Sequence, residues 1–179
     1  MSDPISSPEP AEKRPNWTRR YRRWLVDAGL ILAVYVGVQL YHTRDTPHGV
    51  APPISGALLS GQSVDLAAYA GKPVLLHFWA TWCSICRLER GSIESIASDY
   101  PVLAVASQSG TQAEVAGYVR EHGLKVPVMI DEDGALAARY GVKAFPSSFV
   151  IDGEGKIHNV EVGYTTELGL RLRLWWAGL

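Results

Sequence analysis

Apolar and polar positions divide the chain into two regimes. From Trp24 to Tyr41 it reads WLVDAGLILAVYVGVQLY, where Asp27 and Gln39 are the strongly polar side chains and no hydrophilic face remains. Wound as a helix, that run is roughly 27 Å long, the thickness of a bilayer's hydrocarbon core. Past Pro53 the apolar residues come instead in short groups punctuated by Gly, Ser, Asp and Pro. PVLLHFWA (73–80) and VLAVAS (102–107) are near-continuous apolar runs of strand length, the pattern of strands covered on both faces, with Trp79 in the core. ISGALLSGQSVDLAAYAGKP places two short apolar stretches around Ser60-Gly61-Gln62 and predicts a hairpin.

Between and beyond the two runs the period turns helical. Cys83 to about Ala97 reads as a helix with Ile85, Leu88, Ile93 and Ile96 as its core-facing stripe. TQAEVAGYVREHG opens on Thr111 with Glu114 three residues on and closes at Gly123, a capped helix. VPVMID predicts a strand, GALAARYG a short helix, and SSFVIDGEGKIHNVEVG a hairpin turning at Gly153 to Gly155. A terminal helix from Thr165 to Trp176 puts Leu168, Leu172 and Trp176 on one face, and Trp175 and Trp176 are expected to pack it against the body. Strands alternating with helices, closed by a hairpin, make this an α/β domain with a mixed sheet.

Charge refines the first regime. Residues 1–23 carry six Lys or Arg against three acidic side chains, so the remainder of a chain with net charge −1 is acidic. No basic stripe crosses the body, which argues against nucleic acid. Four prolines with Ser and Glu between Asp3 and Pro15 predict a disordered tail. Arg44 is the only Lys or Arg in the fifteen residues after Tyr41, so the positive-inside bias puts the N-terminus in the cytoplasm and the body across the membrane. A cleaved signal would need small residues at the end of the apolar run, and VQLYHTR has none. The expected organisation is a cytoplasmic tail at 1–23, a membrane anchor in the inner-membrane lipid at 24–41, a linker at 42–53 and a folded domain at 54–179. Asn16-Trp17-Thr18 fits a glycosylation sequon, without meaning on the cytoplasmic side.

The chemistry lies in TWCSICR, which holds both cysteines of the chain, Cys83 and Cys86. Directly after a buried strand the chain must turn into a helix, and Cys83 falls at that helix's start. Free N–H groups and the positive dipole end there favour a thiolate. Three-residue spacing brings the two sulfurs within reach of a disulfide, so one can attack a substrate disulfide and the other resolve the mixed intermediate. Zinc would need two more ligands, and His42, His48, His77, His122 and His158 show no paired spacing. Covalent haem would need His after the second cysteine, where Arg87 stands. A purely structural bridge would close too short a loop to restrict the unfolded chain much.

VLLHFWATWCSIC together with YGVKAFPSSFVID resembles the thioredoxin superfamily, and within it the membrane-anchored TlpA/ResA-like branch of bacterial thiol-disulfide oxidoreductases. The resemblance runs from about Ala51 to Trp176, and GQSVDL and the segment from Thr111 to Asp131 are similar to that branch's leading hairpin and inserted helix-strand. It implies a thioredoxin-like fold in the periplasm with a redox-active disulfide and no other cofactor or metal. By the same resemblance Cys83 would be the exposed nucleophile, Cys86 the buried resolving thiol, Trp82 a neighbour of the pair and Pro146 a facing cis-proline. Protein disulfides would be the substrates, reduced in cytochrome c maturation or in copper or oxidative stress, and a transmembrane thiol reductase of the DsbD kind would supply electrons. A dithiol oxidase or isomerase, and a non-catalytic Cu(I)-binding module, are the competing readings.

Three positions depart from the branch. Ser84-Ile85 replaces a Pro- or Gly-bearing dipeptide, leaving the Ile85 N–H for the Cys83 sulfur. His77 stands where relatives place a buried acid or Asn, and its ordinary pKa near 6.5 suits a proton acceptor for Cys86; a satisfied core histidine is the alternative. Glu89, three residues after Cys86, is the rival acceptor, or else an exposed partner of Arg87 or Arg90. Phe145 occupies a position that is often Thr, so with Ser84 and Ile85 it is expected to set which substrates dock.

Overall fold

The computed structural model describes residues 17–44 and 46–179. Residues 1–16 of the tail expected at 1–23, the sequon's Asn16 among them, fall outside the described residues, and 17–23 are helical rather than disordered. The chain divides into two units, one ending at Gly37 and one running from Val38 to Leu179. The break lies inside helix α1 (Trp17–Thr43), longer than the 24–41 run because polar residues on both sides continue the helical winding. Tyr21–Tyr41 is long and apolar enough to cross a membrane, and its side chains are nearly all exposed.

In the second unit, six strands form one sheet in the order β1-β8-β7-β4-β5-β6. They are β1 (Gly49–Val50), β4 (Val74–Trp79), β5 (Val102–Ser107), β6 (Val128–Asp131), β7 (Ser147–Ile151) and β8 (Lys156–Val162). Pairs β4–β5 and β5–β6 are parallel, whereas β7 runs antiparallel to β4 and β8 to β7, so the sheet is mixed. β2 (Ser55–Ala57) and β3 (Ser63–Asp65) form the expected hairpin as a separate two-stranded sheet, followed by a 3-10 turn at Leu66–Tyr69. β1 pairs with β8, and Thr46 and Ala51 are buried. The stretch expected as a linker at 42–53 therefore contributes the sheet's edge strand: Ala51 N donates to the Gly155 carbonyl at 2.8 Å, pinning it there.

Every residue of β4, β5 and β7 is buried, which is why these strands lack alternation. Leu76, Phe78, Leu103, Phe149 and Tyr140 fill one side of the sheet, beneath α4 (Ala135–Arg139). Leu75, Val102 and Val150 face the other side, against α2 (Ser84–Ile96) and α5 (Glu167–Ala177). Each such aliphatic side chain contributes about 1.5–3 kcal/mol by leaving water. Helix α3 (Gln112–His122) carries the anticipated capping box, Thr111 to Glu114, and ends in left-handed Gly123.

Two helix faces differ from the sequence expectation. In α2, Ile93 and Ile96 are buried, but Ile85 is 40% and Leu88 71% exposed; Cys86 and Glu89 complete the buried face. In α5, Leu170, Leu174 and Ala177 are buried, while Leu168, Leu172, Trp175 and Trp176 are exposed, so neither tryptophan is buried against the body, though the Trp176 ring meets that of His158 on β8 at 6.1 Å. The register of α5 is held instead by Arg171, whose guanidinium reaches Asp99 at 2.6 Å, Glu167 at 2.8 Å and the Ser95 carbonyl of α2 at 3.0 Å.

Candidate active site

The site grows from the carboxyl end of the central strand. After Trp79 the chain leaves the sheet, and Cys83 N donates to the Ala80 carbonyl at 3.1 Å, closing the turn. Thr81 N donates to Ser109 Oγ at 3.0 Å and Trp82 Nε1 to the Gln108 carbonyl at 2.9 Å, tying the turn to the loop after β5. Gln108 presents that carbonyl from a left-handed backbone, φ 49°.

Cys83 is the N-cap of α2, with extended backbone and its sulfur accepting from Cys86 N at 3.1 Å. A sulfur here takes the place of the hydroxyl or carboxylate of an ordinary cap, so the helix's first turn holds charge on it. The donor is Cys86 N, one residue beyond the expected Ile85. Ser84 and Ile85 stand exposed on the outer side of this turn. Cys83 and Cys86 are joined in a disulfide. Both are 6% exposed, so in this oxidised state Cys83 is more covered than the exposed nucleophile expected. Its cover is Phe145, whose carbonyl lies 3.6 Å from Cys83 Sγ and whose ring meets Trp82 edge-on at 5.7 Å. The Phe145–Pro146 peptide is cis, and Gly163 N donates to the Pro146 carbonyl at 2.9 Å.

Two buried titratable side chains stand on the elements that carry the cysteines, His77 on β4 and Glu89 on α2, three residues past Cys86. His77 is buried on β4 in register with Ser148 of β7, and its Nδ1 is 2.9 Å from Ser148 Oγ. Burial pushes its pKa down to about 4, so the ring is neutral at physiological pH. Glu89 is fully buried rather than exposed and makes no ion pair with Arg87 or Arg90. Its Oε1 accepts from Thr165 N at 3.0 Å, while Oε2 has no partner among the described residues. Burial pushes its pKa up to about 7, the Thr165 hydrogen bond partly opposing the rise. A cavity of about 30 Å³ adjoins Cys86 and is lined also by His77, Trp79, Arg90, Glu94 and Tyr118. Ser148 and Arg90 were not singled out from the sequence for this site. The signals were there: Ser147-Ser148 is the polar start of an otherwise apolar strand, and Arg90 is four residues past Cys86, on the same helix face.

Among the described residues no group of three or more His, Cys, Asp or Glu is placed to hold a metal ion. A three-residue cysteine pair at a helix start, faced by a proline loop on a four-strand core of a mixed sheet, defines a thioredoxin-like thiol-disulfide oxidoreductase. The chain belongs to the Redoxin family, whose profile matches residues 47–169. It is similar to the thioredoxin-like protein YneN of Bacillus subtilis, 34% identical over 86% of this chain and 97% of that protein. The thiol-disulfide oxidoreductase ResA of Bacillus thuringiensis subsp. konkukian is 33% identical over 72% of this chain and 80% of its own. Among solved structures, the pneumococcal exposed lipoprotein thioredoxin Etrx1 of Streptococcus pneumoniae superposes with a TM-score of 0.61 at 32% identity, covering 70% of this chain and 99% of that one. A thiol:disulfide interchange protein of the thioredoxin family from Chlorobium tepidum gives 0.65 at 27% identity, covering 75% and 99%.

Proposed function

We propose that this chain is a membrane-tethered reductase of protein disulfides, held by α1 with its catalytic domain on the periplasmic face. The observation that carries the reading is Cys83 as N-cap of α2, its sulfur already accepting the Cys86 N–H. In the reduced protein that N–H and the helix end hold Cys83 as a thiolate. The thiolate attacks a substrate disulfide, one substrate sulfur leaves as a thiolate, and a Cys83–substrate disulfide forms. Cys86 then loses its proton and attacks Cys83 Sγ. The Cys83–Cys86 bond forms and the second substrate sulfur departs, so two electrons have passed to the substrate.

The proton of Cys86 goes to Glu89. A group with a pKa near 7 accepts and returns a proton at neutral pH, whereas a His77 that protonates only near pH 4 is too weak a base. His77 is then the neutral, Ser148-bonded floor of the site. Phe145, with the exposed Ser84 and Ile85, borders the groove where a substrate segment lies against the backbone beside Pro146. Electrons return from a transmembrane thiol reductase of the DsbD kind, and the ResA likeness favours cytochrome c cysteines as substrate, with a protein of copper or oxidative stress as the second candidate.

Direction is set by potential, which in this fold ranges from roughly −270 to −120 mV, about 7 kcal/mol. A glutathione titration of the cysteine pair, with its oxidation state trapped in cells, tests the reading. A potential near −270 mV with a reduced pair in cells is expected; one near −120 mV with an oxidised pair makes the protein an oxidase. A reporter fused after Leu179 tests the topology, and activity of a cytoplasmic-only reporter would overturn the periplasmic placement.

A further inference from the structure

Arg90 is a half-buried cation with no evident employment. Its Nη1 is sealed from solvent and has no hydrogen-bond partner among the described residues. A guanidinium keeps its charge at any pH a protein survives, so this donor cannot be neutralised in place. It lines the small cavity on whose wall Cys86 also stands. On a helix, side chains lean toward the N-terminus and cover the preceding turn, so the residue four beyond Cys86 reaches back over it.

The neighbouring charges are otherwise committed. Glu94 Oε1 accepts from Lys125 N at 2.8 Å and Val126 N at 3.3 Å, fastening the loop before β6. Glu89 is adjacent in sequence to Arg90, hence on a different face of α2, and takes Thr165 N. From β4, His77 is engaged with Ser148 Oγ. From α3, Tyr118 stacks on His122 at 4.0 Å, and His122 Nδ1 lies 2.9 Å from the Tyr118 carbonyl. Of the acidic groups at α5, Glu167 and Asp99 are bound to Arg171 at the far end of α2, and Glu161 to Arg173. Glu94 also lines the cavity, its Oε1 turned to the Lys125 and Val126 amides, and the anion added when the disulfide opens is the sulfur of Cys86.

We propose that Arg90 is the counter-charge of the Cys86 sulfur, a positioning residue that stabilises the resolving cysteine as a thiolate. The inference rests on the dithiol reading above. When a donor dithiol reduces the pair, the donor becomes a disulfide and the Cys83–Cys86 bond breaks. Two electrons enter, and any proton that Cys86 does not keep passes through Glu89 to solvent. In the opposite direction, Arg90 eases the loss of the Cys86 proton to Glu89, and the thiolate so formed attacks the Cys83–substrate disulfide. Arg90 therefore favours the reduced state at equilibrium and speeds resolution, most of all below the ordinary pKa of a thiol.

The test uses the full chain in detergent micelles. In a Cys83→Ser background only Cys86 titrates, and its thiolate absorbance is followed against pH with Arg90 intact, with Arg90→Met, with Arg90→Lys, and with Arg90→Gln, which keeps donors without the charge. Arg90→Met and Arg90→Gln are expected to raise the Cys86 pKa by about one unit and Arg90→Lys to restore most of it. With both cysteines present, Arg90→Met is expected to shift the glutathione equilibrium about tenfold toward the disulfide, about 30 mV. An unmoved Cys86 pKa and equilibrium in a folded Arg90→Met protein overturn the proposal, as does Arg90→Gln behaving like Arg. Should Arg90→Met fail to fold, the Lys and Gln variants decide by the same criteria. A wild-type chain with no two-electron glutathione equilibrium instead overturns the dithiol reading, and the Arg90 role with it.

Discussion

Glu89→Gln separates two buried groups whose effects cancel in the wild type. In the unfolded chain at pH 5.5, Glu89 is ionised and His77 charged, from ordinary values of 4.5 and 6.5. In the fold, burial keeps Glu89 protonated up to about pH 7 and His77 neutral down to about pH 4. Folding thus moves a proton from the imidazole to the carboxyl with no net uptake. The raised carboxyl contributes stability that is complete below pH 4.5 and lost as pH rises toward 7. The depressed imidazole contributes stability that is complete above pH 6.5 and lost as pH falls toward 4. At about 1.4 kcal/mol per pH unit, each is worth about 3 kcal/mol, and between pH 4.5 and 6.5 their slopes oppose.

Removing Glu89 exposes the imidazole alone. Glu89→Gln is expected to lose about 1.4 kcal/mol per pH unit on acidification through that window, where the wild type stays level. At pH 8 it is expected to be more stable than wild type by up to about 3 kcal/mol, since Gln can still accept from Thr165 N and carries no buried charge. His77→Asn gives the mirror slope. The assay is urea unfolding of oxidised residues 46–179 from pH 4.5 to 8, followed by tryptophan fluorescence. A Glu89→Gln curve parallel to wild type at every pH would refute both the burial of the charge and the proton accounting.

Other substitutions probe the frame and the cover. At Gly153 an added Cβ would lie 2.9 Å from the Gly71 backbone carbon and 3.1 Å from Lys72 N, neither able to move aside; Gly153→Ala is expected to cost about 1–3 kcal/mol by urea midpoint. Thr111→Ala removes the oxygen that caps Glu114 N at 3.4 Å and is expected to cost about 1 kcal/mol, with hydrogen exchange rising first in α3. Phe145→Thr takes the ring from beside Trp82 and is expected to raise the rate at which dithiothreitol reduces the disulfide severalfold and to change which protein substrates are reduced; unaltered rates and preferences would remove Phe145 from substrate selection.

The strands, the α3 cap and the cysteine pair were legible because each is written in adjacent residues. β4 and β5 are buried on both faces and so read as unbroken runs; Thr111 and Glu114 bond to each other. Helix rotation was not legible. The sequence from Leu168 to Leu174 places leucine at every second residue, so Leu168 with Leu172 and Leu170 with Leu174 form two equivalent stripes. Contacts from other segments select the second, through Arg171 with Ser95 of α2 and Arg173 with Glu161 of β8. In α2 the buried face runs through Cys86, Glu89, Ile93 and Ile96, which leaves Leu88 and part of Ile85 on the solvent side. Glu89 is buried because Thr165, distant in sequence, supplies the amide that accompanies it. Apolar spacing cannot foresee a carboxyl whose partner arrives from another segment.

The Phe145 backbone that lies against Cys83, with the Phe145–Trp82 ring pair beside it, has a kinetic meaning. A disulfide at a helix start is intrinsically quick to exchange, and in a compartment full of small thiols and unfinished proteins such a bond would be spent at random. With Cys83 6% exposed in the oxidised state, this one is expected to exchange slowly until Phe145 is displaced. A small thiol is expected to reach equilibrium with it slowly, and a polypeptide docked in the proposed groove beside Pro146 faster. On that reading reactivity and discrimination belong to different parts of the molecule, the helix end supplying speed and the Phe145 segment being expected to decide which partners use it.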